Sequence, residues 1–197
     1  MKRLSVILVL MGLYVGNPTI ALSETVASDE LVRRGDLYYK KFTNTPFSGK
    51  VKSKYYNGEY KNGQATGIWQ YYHKNGQLYY LTPWKNGKAH GVIQYFFDNG
   101  QPAGQTSYKN GIKHGLKIDH WGLYGTGEGR LWFKYVYKDG ERHGPTESYY
   151  ENGQLEKKGQ YKNGRVDGHW EVYNKDGTVD YYQTGTYKEG VRISANK

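Results

Sequence analysis

One spacing constrains what this chain can fold into. The tetrapeptide Tyr-Lys-Asn-Gly, or a near copy of it, ends at Gly63, Gly87, Gly111, Gly140, Gly164 and Gly190, at intervals of 24, 24, 29, 24 and 26 residues. A second glycine follows four residues later at Gly67, Gly91, Gly115, Gly144 and Gly168, and a third column holds Gly76, Gly100, Gly129, Gly153 and Gly177. A fixed period of this length marks a repeat array, in which each unit is too small to bury a face alone and stacks on its neighbours.

The segments between the glycines read as strands. Ile68-Trp69-Gln70-Tyr71-Tyr72 is one, and Leu78 to Trp84 is its partner. Alternation places Trp69 and Tyr71 on one face and Tyr72 on the other. The chain carries 22 tyrosines and 27 glycines in 197 residues, a composition suited to short aromatic strands and tight turns. Asn75-Gly76, Asn99-Gly100 and Asn152-Gly153 are predicted to close two-residue hairpins, because both central residues of a type I′ turn need positive φ. The Lys-Asn-Gly turns are predicted to be longer. The expected fold is all-β: an elongated array of antiparallel β-hairpin repeats with a period of about 24 residues. Stacking brings like side chains into ladders, one of Tyr72, Phe96, Tyr149 and Tyr173, another of Trp84, Tyr108, Tyr137, Tyr161 and Tyr187. In this reading Gly63, Gly87, Gly111, Gly140 and Gly164 are structural.

Runs such as Tyr-Tyr-His-Lys-Asn-Gly-Gln-Leu (71–78) and Tyr-Lys-Asn-Gly-Arg-Val-Asp-Gly-His-Trp (161–170) resemble the MORN-repeat variant, and in particular the YwqK family described as antitoxins. The stretch from Leu31-Val32-Arg33-Arg34 through Tyr38-Tyr39-Lys40-Lys41-Phe42 to Pro46-Phe47-Ser48-Gly49 resembles the opening segment of those proteins. The resemblance covers about residues 30–192. It implies a hairpin-repeat fold and an interaction role.

The first 23 residues have the layout of a secretory signal peptide. Lys2 and Arg3 precede an apolar run from Leu4 to Val15, Gly16-Asn17-Pro18 breaks it, and Ala21-Leu22-Ser23 offers small residues for cleavage. About 12 apolar residues fall short of the roughly 20 needed to span a bilayer. The chain has no cysteine, which excludes thiol chemistry, disulfides and a lipidated cysteine anchor. Export to the periplasm or exterior is therefore expected. The remaining division is an N-terminal segment at 24–36, a short helix or loose chain, the array at 37–192, and a tail at 193–197.

The array is interrupted once. The interval from Gly115 to Gly129 is 14 residues where the other repeats have nine, so a loop around 120–128 carries Trp121 and Tyr124. Long loops on a regular scaffold are a common place for binding, and the alternative is that these aromatics fold back on the sheet. Lys61, Lys85, Lys109, Lys138 and Lys162 recur at the Tyr-Lys-Asn-Gly turns as a possible basic edge for anionic lipid or glycan. Turn lysines also blunt a sheet against edge pairing. The aromatic ladders are candidate stacking platforms for sugars or bases.

Catalytic chemistry finds little support. Neither Gly-x-Ser-x-Gly nor His-Glu-x-x-His occurs. Glu128, Glu141, Glu147 and Glu151 read as solubilising acids rather than a glycosidase pair. The glycine-rich run 122–129 lacks the Gly-Lys-Ser/Thr of a phosphate loop. His90, His114 and His143 share one repeat position, but equivalent residues two strands apart sit roughly 9.6 Å from each other, against zinc–nitrogen bonds of about 2.0–2.1 Å. No catalytic residue, metal or cofactor is expected. The net charge of +10 is spread over the turns rather than clustered, which argues against nucleic acid. The sequence thus points to a non-catalytic module that contacts another protein, with anionic lipid or glycan, or a toxin to be neutralised, as alternatives.

Overall fold

The computed structural model describes residues 23–122 and 129–195. The predicted signal peptide, Tyr124 and Glu128 lie outside these residues. Among the described residues eighteen strands follow in chain order. The first seven are β1 (Thr25–Ala27), β2 (Leu31–Arg34), β3 (Leu37–Lys40), β4 (Gly49–Lys52), β5 (Tyr56–Lys61), β6 (Gln64–Tyr72) and β7 (Leu78–Lys85). Next come β8 (Lys88–Ala89), β9 (Gly91–Phe96), β10 (Pro102–Lys109), β11 (Ile112–His120), β12 (Leu131–Lys138) and β13 (Glu141–Arg142). The last are β14 (Gly144–Tyr149), β15 (Leu155–Lys162), β16 (Arg165–Val172), β17 (Gly185–Lys188) and β18 (Val191–Ala195). From β4 onward each strand pairs antiparallel with the next along the chain in one long sheet, with β8 and β13 as short extensions. The all-β hairpin array expected from the period is the observed architecture.

Two features depart from the sequence reading. Residues 24–36 are not loose, and the only helix in them is one three-residue 3-10 turn between two strands. They give β1, a single 3-10 turn at Ser28–Glu30, and β2. β1 pairs in parallel with β4, burying Val26 against Val51 at the end of the array, and β2 pairs with β3 in a separate hairpin.

The second departure is in the turns, whose two classes exchange roles. Asn62, Asn86, Asn110, Asp139, Asn163 and Glu189 all have positive φ near 50°, each followed by a glycine of positive φ. The flanking residues pair directly, as Lys61 with Gln64 and Lys162 with Arg165. These are the two-residue type I′ hairpins. In the other class only the glycine is left-handed. The Asn75 side chain accepts from the Gln77 N–H at 3.0 Å, and Asn99 and Asn152 do likewise two residues on. That local bond holds the asparagine right-handed. The loop then closes through Gly76 N–H to His73 C=O at 2.9 Å. Asn-Gly alone does not separate the two classes; the side-chain bond does.

The type I′ turns also join the repeats. The Gly63 N–H donates to Phe47 C=O, Gly87 to Ala65, Gly111 to Ala89, Gly140 to Lys113, Gly164 to Arg142 and Gly190 to Val166, all within 2.7–3.0 Å. Each turn glycine thus bonds the preceding repeat. The opposite edge has an equivalent lock made by side chains. The His73 ring bonds Phe96 C=O at 3.0 Å, and Tyr150 OH donates to Tyr173 C=O at 2.8 Å.

One face of the sheet is aromatic and largely buried; the other is open. On the reverse face Ile68 and Val92 are exposed, while Tyr72, Tyr149 and Tyr173 donate through their hydroxyls to Gln70, Glu147 and Glu171. On the aromatic face large residues alternate with small ones across the strands. Gly58 adjoins Trp69, and Gly159 adjoins Trp170. A Cβ at Gly58 would lie 2.1 Å from the Trp69 ring, and one at Gly159 would lie 2.4 Å from the Trp170 ring. Thr82 lies opposite Trp69, and Thr106 opposite Ile93; all four are buried. The tightest cluster is at the N-terminal end, where Val26, Phe47, Val51, Tyr60 and Trp69 meet.

Candidate functional site

The aromatic face follows from strand alternation, which sends every second side chain to the same side. Tyr71 pairs with Tyr80, and Tyr80 with Tyr95, so the three rings line up across neighbouring strands. Tyr71 and Tyr80 stack at 4.2 Å and 17°. Tyr38 contacts Tyr60 at 4.6 Å, and Tyr60 meets Trp69 edge-on at 5.0 Å. A second chain of rings runs from Trp121 through Trp132, Phe133 and Tyr135 to Tyr161 and Trp170. Between the two chains the rings give way to an ion pair. Lys117 and Asp119 occupy the positions of Trp69 and Tyr71, pair with each other, and place the Lys117 ammonium 5.1 Å above the Phe133 ring.

The hairpin β2–β3 turns the first aromatic chain into a groove of about 580 Å³. Tyr38, Arg33 and Asp36 form its wall, and Tyr56, Trp69 and Tyr71 lie at its floor. Gln64, Asn86 and Lys88, from the two nearest type I′ turns, stand at its mouth. This volume is within the usual range for small-ligand sites, about 300–1,000 Å³. Arg33 is engaged locally with Asp36 at 3.2 Å and with Gly35 C=O at 2.9 Å. Gln64 and Asn86 make no side-chain hydrogen bond among the described residues. In neighbouring turns the equivalent group is occupied: the Asn110 side chain meets His90 at 3.1 Å and Asp139 meets His114 at 3.2 Å.

Trp84 also lines this groove, and its indole N–H is buried with no acceptor among the described residues. The indoles of Trp69, Trp121 and Trp170 all donate, to Glu59, Tyr149 and Gln160 carbonyls. A buried donor left unmatched costs about 1–3 kcal/mol.

The titratable groups displaced in this region are phenols. Burial, reinforced by the neighbouring Tyr80, Tyr56 and Tyr38, pushes Tyr71 up to about 12. Burial, then the adjoining Tyr38, raises Tyr60 well above the ordinary phenol value. Both stay protonated at neutral pH and are not bases there. The groove is lined by one carboxylate, Asp36, and no histidine. Among the described residues no group of three or more His, Cys, Asp or Glu is placed to hold a metal ion.

The residues singled out from sequence fall into three places. Trp121 folds onto the sheet: its ring packs on Trp132 at 4.7 Å, and its indole donates to Tyr149 C=O at 2.9 Å. It takes the same place in its turn as His73 and Tyr150 do in theirs. Lys61, Lys85, Lys109, Lys138 and Lys162 are all exposed and aligned along the edge of the type I′ turns. The turns of the opposite edge carry Lys74, Asp98, Glu151 and the adjacent Lys175 and Asp176, so the two edges differ in charge. Gly63, Gly87, Gly111, Gly140 and Gly164 occupy the left-handed second position of those turns.

Sequence reasoning did not identify the groove. The hairpin β2–β3 belongs to no repeat, so the wall carried by Arg33, Asp36 and Tyr38 left no periodic trace. The Lys117–Asp119 pair does leave one, as the single repeat whose aromatic positions are charged. Phe42 was also missed; it is fully exposed at φ 64°, an uncommon conformation for a bulky side chain.

The chain matches the MORN repeat variant family over residues 65–86, 89–110 and 142–163. Each match runs from one type I′ turn to the next. MORN repeats are in general interaction modules. A search among curated proteins gave no match.

Proposed function

We propose that this chain is a non-catalytic binding module of the bacterial cell envelope or exterior, and that it contacts a protein partner through its aromatic face. The row Tyr71, Tyr80 and Tyr95 carries this reading, since a run of adjoining, half-buried tyrosines, the first two stacked and the third tilted against them, has the composition of an interface core. Tyrosine offers large contact area at small entropic cost. The groups lining the groove offer no acid–base pair, which favours binding over turnover. The placement outside the cytoplasm rests on Lys2 to Ser23 and their signal-peptide layout. A toxin held by capture would be one form of such a partner.

The test is affinity capture from native envelope extract with the wild-type chain and with Tyr80→Ser. A protein retained by the first and lost with the second supports the proposal. Retention of no protein at physiological salt rejects it. The exposed lysine edge supports a second reading, contact with an anionic lipid surface or polymer. That reading expects salt-sensitive retention, weakened by charge reversal at Lys85 and Lys109.

A further inference from the structure

We infer that the groove between the β2–β3 hairpin and the first two type I′ turns is a binding site for a short neutral oligosaccharide. A pyranose ring has two chemical characters: faces of C–H groups that settle on aromatic rings, and a rim of hydroxyls that both donate and accept hydrogen bonds. The groove presents both complements. Its floor offers the part-exposed rings of Tyr56 and Tyr71, backed by the buried Trp69, and its mouth holds the planar amides of Gln64 and Asn86. Each amide offers a donor pair and an acceptor, and neither is committed to another side chain or to backbone.

Three observations separate this region from the rest of the aromatic face. Here a wall stands over the rings, supplied by Tyr38 and Arg33. The turn asparagine is free here, where Asn110 and Asp139 are held by histidines, because the position corresponding to those histidines is Thr66; Asn163 also makes no side-chain hydrogen bond among the described residues, but it does not line this groove. And here Trp84 keeps a buried indole N–H with no acceptor among the described residues; it is closed to solvent, so a ligand hydroxyl would reach it only after neighbouring side chains shift. Of the two cations lining the groove, Arg33 is already paired with Asp36, which leaves Lys88 alone beside a neutral floor and two neutral amides, so the lining as a whole favours a neutral sugar. An apolar peptide would leave the amides unmatched. The site goes beyond the proposed protein contact and does not depend on it.

The test is a titration of purified protein with chitotetraose, cellotetraose and maltotetraose, read by tryptophan fluorescence and calorimetry. A tyrosine-containing peptide and an oligothymidine serve as comparisons. The expected result is saturable binding of at least one oligosaccharide below about 10 mM. The double variant Gln64→Ala/Asn86→Gly should weaken it about tenfold or more. That variant keeps its melting temperature, because both side chains are exposed and glycine accepts the φ of 50° at position 86. Glu141→Gln, at an exposed position outside the groove, should leave binding unchanged. The inference is overturned if no oligosaccharide binds, if binding ignores the double variant, or if only the peptide or the oligonucleotide binds. The titration contains no other protein, so a negative result here leaves the capture experiment intact, and the reverse.

Discussion

Two regions of this molecule use the same local design for different ends. In each, a tryptophan lies over a glycine of the neighbouring strand, meets a tyrosine edge-on, and donates its indole N–H to a backbone carbonyl. The first comprises Gly58, Tyr60 and Trp69; the second comprises Gly159, Tyr161 and Trp170. The surroundings differ. Trp69 belongs to a closed cluster with Val26, Phe47 and Val51, and the β2–β3 hairpin walls its outer side. Over the second tyrosine stands Arg142, 4.2 Å from the Tyr135 ring and 5.3 Å from Tyr161. The repeat therefore dictates the packing unit, while non-repeated residues decide whether that unit becomes a groove or a covered surface.

The largest effect should separate the two tryptophans. Trp69→Ala is expected to cost about 3–5 kcal/mol, and Trp170→Ala less, because fewer buried side chains surround it. Urea midpoints of the two variants check this, and equal losses would break the comparison. Next come the glycines. Gly58→Ala and Gly159→Ala should each cost about 1–3 kcal/mol, since either methyl would overlap an indole ring. Similar losses would sharpen the equivalence of the two units; a loss at one alone would refute it. Arg142→Gln removes a cation from two rings and a hydrogen bond to the Tyr161 hydroxyl at 3.2 Å. About 1 kcal/mol is expected, read by thermal melting, with no change in the groove.

The smallest effect is alkaline. A phenol whose acidity is weakened by folding stabilises the fold below its unfolded value, near 10, and that contribution is lost as pH rises toward the folded value. For Tyr71 the window runs from about 10 to about 12. Tyr71→Phe should therefore flatten the loss of stability in that window. Tyr135→Phe should flatten it less, because burial raises Tyr135 while the Arg142 charge acts in the opposite sense. Denaturant melts across the window measure both slopes.

Much of this was legible in the sequence, and the reasons differ by element. The period of Gly63, Gly87 and Gly111 fixes the array because stacking is the only way such short hairpins bury a face. Alternation correctly placed Trp69 and Tyr71 opposite Tyr72. The turn classes were not legible from Asn-Gly alone, since the distinction lies in whether the asparagine side chain binds the N–H two residues on, as Asn75 does and Asn62 does not. The groove was not legible either. Its wall comes from Arg33 to Tyr38, residues outside the repeat, and its unmatched groups at Asn86 and Trp84 stand out only against the bonded partners of neighbouring repeats.

The central claim is that the aromatic face, and not its reverse, is the binding surface. Site-specific photocrosslinking in cells tests it directly, with the reactive residue placed at Tyr80 on the aromatic face or at Gln70 on the reverse face. The prediction is a discrete protein adduct from position 80 and none from position 70. An adduct from position 70 with none from position 80 would contradict it.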